Sequence, residues 1–129
     1  MSLVFLWAAL GGAIGSSLRY LVGKITPSKF LMWNYFPLGT FSVNLIGCFV
    51  IGFAGHLAVK SILGDKMSVF FITGVLGGFT TFSSFGLDTI KLLQSQAVIE
   101  ALFYVFGTNI LGFVCVALGW WLAKIFCLT

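Results

Sequence analysis

Charged side chains are scarce in this chain of 129 residues, and they leave four long uncharged intervals: 1–18, 30–59, 67–87 and 101–123. Each interval reaches the roughly 18–20 apolar residues needed to cross a hydrocarbon core about 30 Å thick. A soluble domain carries about 25% charged residues because its surface faces water, whereas this chain carries 8% and is 60% hydrophobic. The pattern predicts an integral membrane protein. It excludes a cytosolic enzyme, a nucleic-acid-binding domain and a secreted disulfide scaffold.

The predicted fold is all-α, because the alternating segments of about ten residues that build membrane barrels are missing from the sequence. We place the four spans near 3–23, 36–59, 67–92 and 100–124, within a single transmembrane domain over 1–129. Seven Lys and Arg residues give a net charge of +4, but they are scattered singly rather than clustered as phosphate recognition requires. The three cysteines are interpreted as small buried hydrophobes that form no disulfide.

The basic residues are nearly balanced between the two sides of the membrane. Four spans put both termini on one side, which would hold Lys60, Lys66 and Lys124. The other side would hold the remaining basic residues, Arg19, Lys24, Lys29 and Lys91. The positive-inside rule needs an imbalance to fix orientation, so the sequence favours insertion in both directions and assembly as an antiparallel homodimer. The alternative, in which one topology prevails, stays open.

The third span combines small and hydroxyl-bearing residues at mid-membrane depth. Adjacent Gly77 and Gly78 are poor helix formers and are followed by β-branched Thr80 and Thr81, so we expect a broken helix there. Broken backbone at this depth is tolerated only where it is buried or lines a water-filled path. Small residues spaced four apart, in 11–15 and 74–78, indicate close helix packing and no particular function.

Aromatic rings and polar side chains near this predicted break suggest a path for a small anion. Phe82 and Phe85 share a helix face, and the positive edge of an aromatic ring attracts anions. Hydrogen-bond donors must offset the cost of dehydration, and the candidates are Asn44, Asn109, Thr81, Ser83, Ser84, Tyr104 and Thr108. Arg19 would gather anions in a vestibule. The alternatives are ordinary packing for the rings, interhelical bonding for Asn44 and snorkelling for Arg19.

Three motifs resemble the signatures of the Fluc fluoride channels, also called the CrcB family. They are GGAIGSSLRY at 11–20, GTFSVNLIG at 39–47 and GVLGGFTTFSSF at 74–85. The resemblance extends over the whole chain in length, number of spans and order of motifs. Three residues depart from the family pattern: Ser84, where the family usually has Thr, Gly86, where Ser is common, and Phe113, where Ser is frequent.

The resemblance implies an antiparallel homodimer in the microbial inner membrane, with two pores that export toxic fluoride by passive conduction. Phe82 and Phe85 would line each pore together with Asn44 as a fluoride-facing donor. The backbone carbonyls of Gly77 and Thr80 would hold a central structural sodium ion.

Two other functions compete with a channel. A small dual-topology multidrug exporter needs a titratable carboxylate within the membrane, and span 1 contains no acidic residue. A non-conducting accessory subunit would explain the small residues but leaves the Phe and hydroxyl residues without a role. No motif of an enzyme active site occurs in the sequence, so we predict a channel without catalytic activity.

Overall fold

A computed structural model describes residues 2–128, and their regular structure consists of helices. Helix α1 spans Ser2–Ile25 and α2 spans Leu38–Val59. The third span is interrupted, so that α3 covers residues 65–79 and α4 covers Phe82–Gln94. Helix α5 spans Val98–Leu128. The chain therefore runs four times from one end of the molecule to the other, and the third of these four segments is broken.

The prediction of four apolar helices is confirmed. Segments long and apolar enough to cross a membrane run over Leu3–Ile25, Leu38–Val59, Asp65–Gln94 and Val98–Leu128. The last helix is longer than its predicted span of 100–124, and it carries Lys124 inside its final turns. Most of the surface of these four segments is exposed in a single subunit, as expected for helices that face lipid or a second copy.

The broken third helix is also confirmed, and within the predicted segment the break falls at Thr80 and Thr81 rather than at Gly77 and Gly78. Helix α3 begins with an α-helical turn at Asp65–Ser68, widens to a π-helix over Val69–Leu76 and returns to α geometry at Gly77–Phe79. Thr80 (φ −77°, ψ 157°) and Thr81 (φ −153°, ψ 118°) are extended. The sequence analysis did not anticipate the π-helical segment.

Glycine allows α1 and α3 to touch backbone to backbone. A Cβ atom added to Gly15 would lie 2.8 Å from the Phe79 nitrogen, and one added to Gly78 would lie 2.6 Å from the Gly12 carbonyl oxygen. Gly11 and Gly74 meet in the same seam. Only glycine leaves room for this approach, as in other closely packed membrane helices.

A second glycine seam joins α2 to α5. The Cα position of Gly52 lies against the backbone of Val116, and Gly119 lies against Phe49 and Phe53. The two seams fix α1 on α3 and α2 on α5. The short helix α4 continues from the break and packs against α5.

The connection between α1 and α2, residues 26–37, covers an aromatic core at one end of the molecule. Phe36 is 1% exposed, and its ring packs edge-on against those of Phe41 and Tyr104, with centroids 5.5 Å apart in both pairs. Leu92 and Ala101 complete the buried cluster from α4 and α5. This core anchors α4 beside α5 and so positions the residues that follow the break.

Candidate anion pathway at the helix break

The break between α3 and α4 begins a new helix with its own cap. Thr81 takes the N-cap position of α4, and its hydroxyl accepts a hydrogen bond from the Ser84 backbone N–H at 3.1 Å. Ser and Thr are preferred at this position because the side chain satisfies an N–H that the first turn of a helix leaves free. The same hydroxyl donates to Ser84 Oγ at 3.1 Å and lies 3.2 Å from Ser83 Oγ.

The Asn44 side chain of α2 holds the extended backbone at the break. Its Oδ1 accepts from the Thr81 backbone N–H at 2.8 Å, and its Nδ2 donates to the Thr81 carbonyl at 3.0 Å. One turn further along α2, the absent side chain of Gly47 makes room for the methyl group of Thr80. Helix α2 therefore supplies the hydrogen bonds that the broken helix cannot make for itself. The amide retains a second N–H on Nδ2 that is free to donate.

A groove of about 320 Å³ opens on one side of the subunit beside this clamp. Its lining includes polar and aromatic side chains from three helices: Asn44, Thr81, Phe82, Phe85, Thr108 and Asn109. Phe82 is 83% exposed whereas Phe85 is 9% exposed, and their ring centroids are 5.6 Å apart. Phe79 lies before the break and is buried on α3. Phe82 and Phe85 are therefore the two rings that α4 contributes to the groove, and α5 contributes a third, that of Phe113.

Behind Phe85 lies a polar cluster that the sequence analysis did not identify. Tyr104 is fully buried, packs 5.1 Å from the Phe85 ring and directs its hydroxyl to Asp88 Oδ2 at 3.4 Å. Thr40 donates to the same oxygen at 2.9 Å. Burial and the Asp88 carboxylate raise the pKa of Tyr35, which lines a small cavity beside Asp88. Sequence position does not reveal this cluster, because the two donors to Asp88 come from distant parts of the chain.

The remaining polar residues predicted for the pathway differ in how their atoms are used. The Thr108 hydroxyl is buried and has no hydrogen-bond partner among residues 2–128. Asn109 is exposed and donates back to the Val105 carbonyl of its own helix at 2.7 Å. Ser83 is exposed and contacts the Thr81 hydroxyl, and Tyr104 lies behind the groove rather than in its lining.

Arg19 lies on the other side of the break from the groove. It is half-buried and lines a separate cavity of about 400 Å³ together with Lys24, Thr40 and Ser84. Thr81 lines both this cavity and the groove. The break is therefore the wall that the basic cavity and the aromatic groove have in common.

The backbone at the break offers oxygen atoms of the kind that a small cation accepts. In an unbroken helix the Gly77 carbonyl would accept from the Thr81 N–H, but that N–H donates to Asn44. The extended conformation of Thr80 takes its carbonyl out of the helical ladder as well. Carbonyls freed at broken membrane helices are typical sodium ligands, so the chemistry of Gly77 and Thr80 fits the predicted ion.

Comparison with known proteins assigns the family. Residues 6–120 match the family described as CrcB-like protein, Camphor Resistance (CrcB). The chain belongs to the CrcB family. CrcB relatives include a protein of Helicobacter pylori strain P12 named fluoride-specific ion channel FluC. It is 75% identical over 126 residues, covering 98% of this chain and 97% of the relative.

More distant CrcB proteins carry the same name. The FluC of Helicobacter acinonychis is 73% identical over 126 residues, covering 98% of this chain and 99% of the relative. The FluC of Methylobacillus flagellatus is 45% identical over 117 residues, which is 90% of this chain and 91% of that protein. The resemblance predicted from the three motifs is confirmed at the level of the CrcB family. With its four apolar helices, this CrcB protein is a multi-pass protein of the inner membrane.

Proposed function

We propose that this chain is the subunit of a fluoride-selective channel that releases cytoplasmic fluoride by passive electrodiffusion. The observation that carries the proposal is the groove beside the helix break. It joins the Phe82 and Phe85 rings of α4 and the Phe113 ring of α5 to a buried hydroxyl that has no partner among residues 2–128. None of the described residues in its lining is acidic. CrcB relatives at 45–75% identity bear the name fluoride-specific ion channel.

The chemistry of this groove suits an anion that must shed water. Dehydrating an unpaired ion costs tens of kcal/mol in the Born limit, so several partners must act together. Thr108 supplies a hydroxyl that no atom of residues 2–128 engages, and Asn44 supplies the second N–H of its amide. The rings of Phe82 and Phe85 would turn their positive edges to the ion. Ser83 and Asn109 would contribute at the ends of the path, and Tyr104 would support the Phe85 ring from behind.

A second, inverted copy would complete each pathway. The groove is open along one side, and Phe82 projects from it with 83% of its surface exposed. Two grooves related by a two-fold axis in the membrane plane would close against each other and form two parallel pores in the lipid bilayer. Near balance of the basic residues supports the insertion of both orientations.

A structural sodium ion would sit where the two copies meet. The carbonyls of Gly77 and Thr80 from both subunits would supply four oxygen ligands, which is the kind of set that broken helices present to sodium. The ion would hold the two breaks together and add a fixed positive charge between the pores. Arg19, in its own basic cavity, would concentrate anions at the entrance.

Ion-efflux measurements on purified protein in vesicles test this function. We expect the vesicles to lose fluoride down its gradient and to retain chloride. Equal loss of both ions would contradict selectivity. Loss of neither would favour a non-conducting accessory subunit, and fluoride loss that depends on a proton gradient would favour an exporter that couples transport to protons.

A further inference from the structure

The connection between α1 and α2 presents a largely exposed apolar tip. Leu31 is 73% exposed and Met32 is 86% exposed. The two residues are held at the end of a tight turn, since Phe30 and Trp33 exchange backbone hydrogen bonds of 3.1 and 3.0 Å. Leu31 has φ of 54°, a conformation that is uncommon for a residue with a branched side chain. Nothing within the subunit therefore explains why two large apolar side chains occupy this turn.

The tip stands on a firm aromatic base. Trp33 stacks on Phe36 with ring centroids 5.6 Å apart and packs 4.9 Å from Phe103 of α5. Phe30 adds a third ring 5.1 Å from Phe36. Because these rings are held by the buried core, the turn cannot fold back to cover Leu31 and Met32.

The charge around the tip is positive. Lys24 and Lys29 are exposed on either side of the end of α1, and Lys24 lies over the Tyr20 ring at 5.5 Å. The acidic residue that lines the small cavity under this connection is Asp88, which is half-buried and accepts hydrogen bonds from Thr40 and Tyr104. Apolar side chains flanked by lysines at the end of a membrane span are the composition of segments that bind an anionic lipid surface.

We propose that residues 29–33 are an interfacial anchor, in which Leu31 and Met32 enter the boundary between headgroups and acyl chains of an anionic leaflet. Lys24 and Lys29 would contact lipid phosphates. The position of the turn between two spans places it at the height of that boundary. Lipid is favoured over a second protein copy because the tip is small and apolar and the exposed charged side chains that flank it, Lys24 and Lys29, are basic. This inference does not depend on the ion that the protein conducts.

Site-directed fluorescence in lipid nanodiscs tests the anchor. The free cysteines Cys48, Cys115 and Cys127 are replaced by Ser, and Met32→Cys carries an environment-sensitive fluorophore. The matched control is Gln96→Cys in the exposed turn between α4 and α5, which a chain of four spans puts on the same side. Discs of phosphatidylcholine alone are compared with discs that also contain phosphatidylglycerol.

In anionic discs we expect the probe at 32 to be blue-shifted, quenched by an acyl-chain nitroxide and shielded from a neutral water-soluble nitroxide. The probe at 96 should show the opposite pattern. Replacing Lys24 or Lys29 by Gln should lower the inserted-to-free ratio at 32 by about fivefold per lysine in anionic discs. It should leave the ratio unchanged in neutral ones.

Three outcomes would overturn the proposal. The probe at 32 could be as accessible to the soluble nitroxide as the probe at 96, or the lysine variants could leave its insertion unchanged. Shielding from both nitroxides, with cross-linking of Met32→Cys between two copies, would assign the tip to a protein contact instead. An unchanged melting temperature of the labelled variants shows that the fold is intact, as the exposure of Met32 leads us to expect.

Discussion

At the scale of single residues, the polar atoms near the break divide by whether the chain already satisfies them. The Asn44 amide and the Thr81 hydroxyl are engaged in hydrogen bonds that hold the backbone in place. The Thr108 hydroxyl is buried with no partner among residues 2–128. In the proposed pathway, engaged groups would hold the backbone in place and unengaged groups would bind the ion. The same residue type can thus have two roles, which its sequence position alone does not distinguish.

Removing the Asn44 side chain should destabilise the subunit. Asn44→Ala leaves both backbone groups of Thr81 without partners, at a cost of about 1–3 kcal/mol for each buried group. We expect a clearly lower thermal unfolding temperature in detergent. Asn109→Ala is the matched control, since that exposed amide bonds only to its own helix and its loss should cost less than about 0.5 kcal/mol. Equal melting of the two variants would contradict the clamp.

Replacing the exposed ring of the groove should slow conduction without loosening the fold. Phe82→Ile keeps an apolar side chain but removes the positive ring edge, and we expect at least about tenfold slower fluoride efflux, equivalent to about 1.4 kcal/mol of barrier. Phe5→Ile on α1 is the control, because that ring is similarly exposed at 73% but lies outside the groove. If both variants conduct like the unaltered protein, Phe82 has only a packing role.

At the scale of helices, two seams and one interruption determine the arrangement. The sequence predicts the interruption from Gly77 and Gly78, yet both stay helical and the chain turns at Thr80 and Thr81. Gly78 is used instead for contact with Gly12 on α1. The helical hydrogen-bond ladder stops where the Thr81 N–H donates to Asn44 instead of to its own helix. Asn44 lies 37 residues away in the sequence, so local helix propensity cannot reveal this contact. The π-helix over Val69–Leu76 likewise has no sequence signature.

Alanine substitutions at Gly15 and Gly12 test how closely α1 and α3 pack, because Gly15 contacts α3 and Gly12 leaves room for a methyl group. A Cβ added at Gly15 would clash with the backbone of Val75 and Phe79, and relieving it should cost about 1–3 kcal/mol. Gly12→Ala adds a methyl group with no heavy atom within 4 Å, and the better helix propensity of Ala should offset any loss. Thermal unfolding of the two variants should therefore differ markedly. Similar stability would show that the seam is not close-packed.

At the scale of the whole molecule, the sequence predicted best those features that the physical properties of the bilayer determine. Hydrocarbon thickness and the scarcity of charge predicted four helices, and the motifs predicted the family. Contacts between residues far apart in the sequence could not be predicted, as the hydrogen bonds of Thr40 and Tyr104 to Asp88 illustrate. The three residues come from three different helices, and only packing brings their oxygens together.

Orientation in the membrane should be nearly even and easy to shift. Reporters fused to the C-terminus, one active only inside the cell and one only outside, should both give signal. Gln94→Lys with Gln96→Lys should keep the α4–α5 turn inside and the C-terminus outside, and Ile62→Lys should bias the chain the other way. A signal from only one reporter on the unaltered chain would contradict dual topology.

The clamp between Asn44 and Thr81 also constrains the order in which the protein is assembled. A helix interrupted within the bilayer exposes backbone groups that lipid cannot satisfy, so the third span is unfavourable in the membrane until another segment supplies a partner. That partner is Asn44 on α2, which is synthesised before the third span and can already be in the bilayer when Thr81 is inserted. Synthesis from the N-terminus therefore places the Asn44 side chain in the membrane before the broken helix that it stabilises. A circular permutation placing α2 last would make the third span insert unaided.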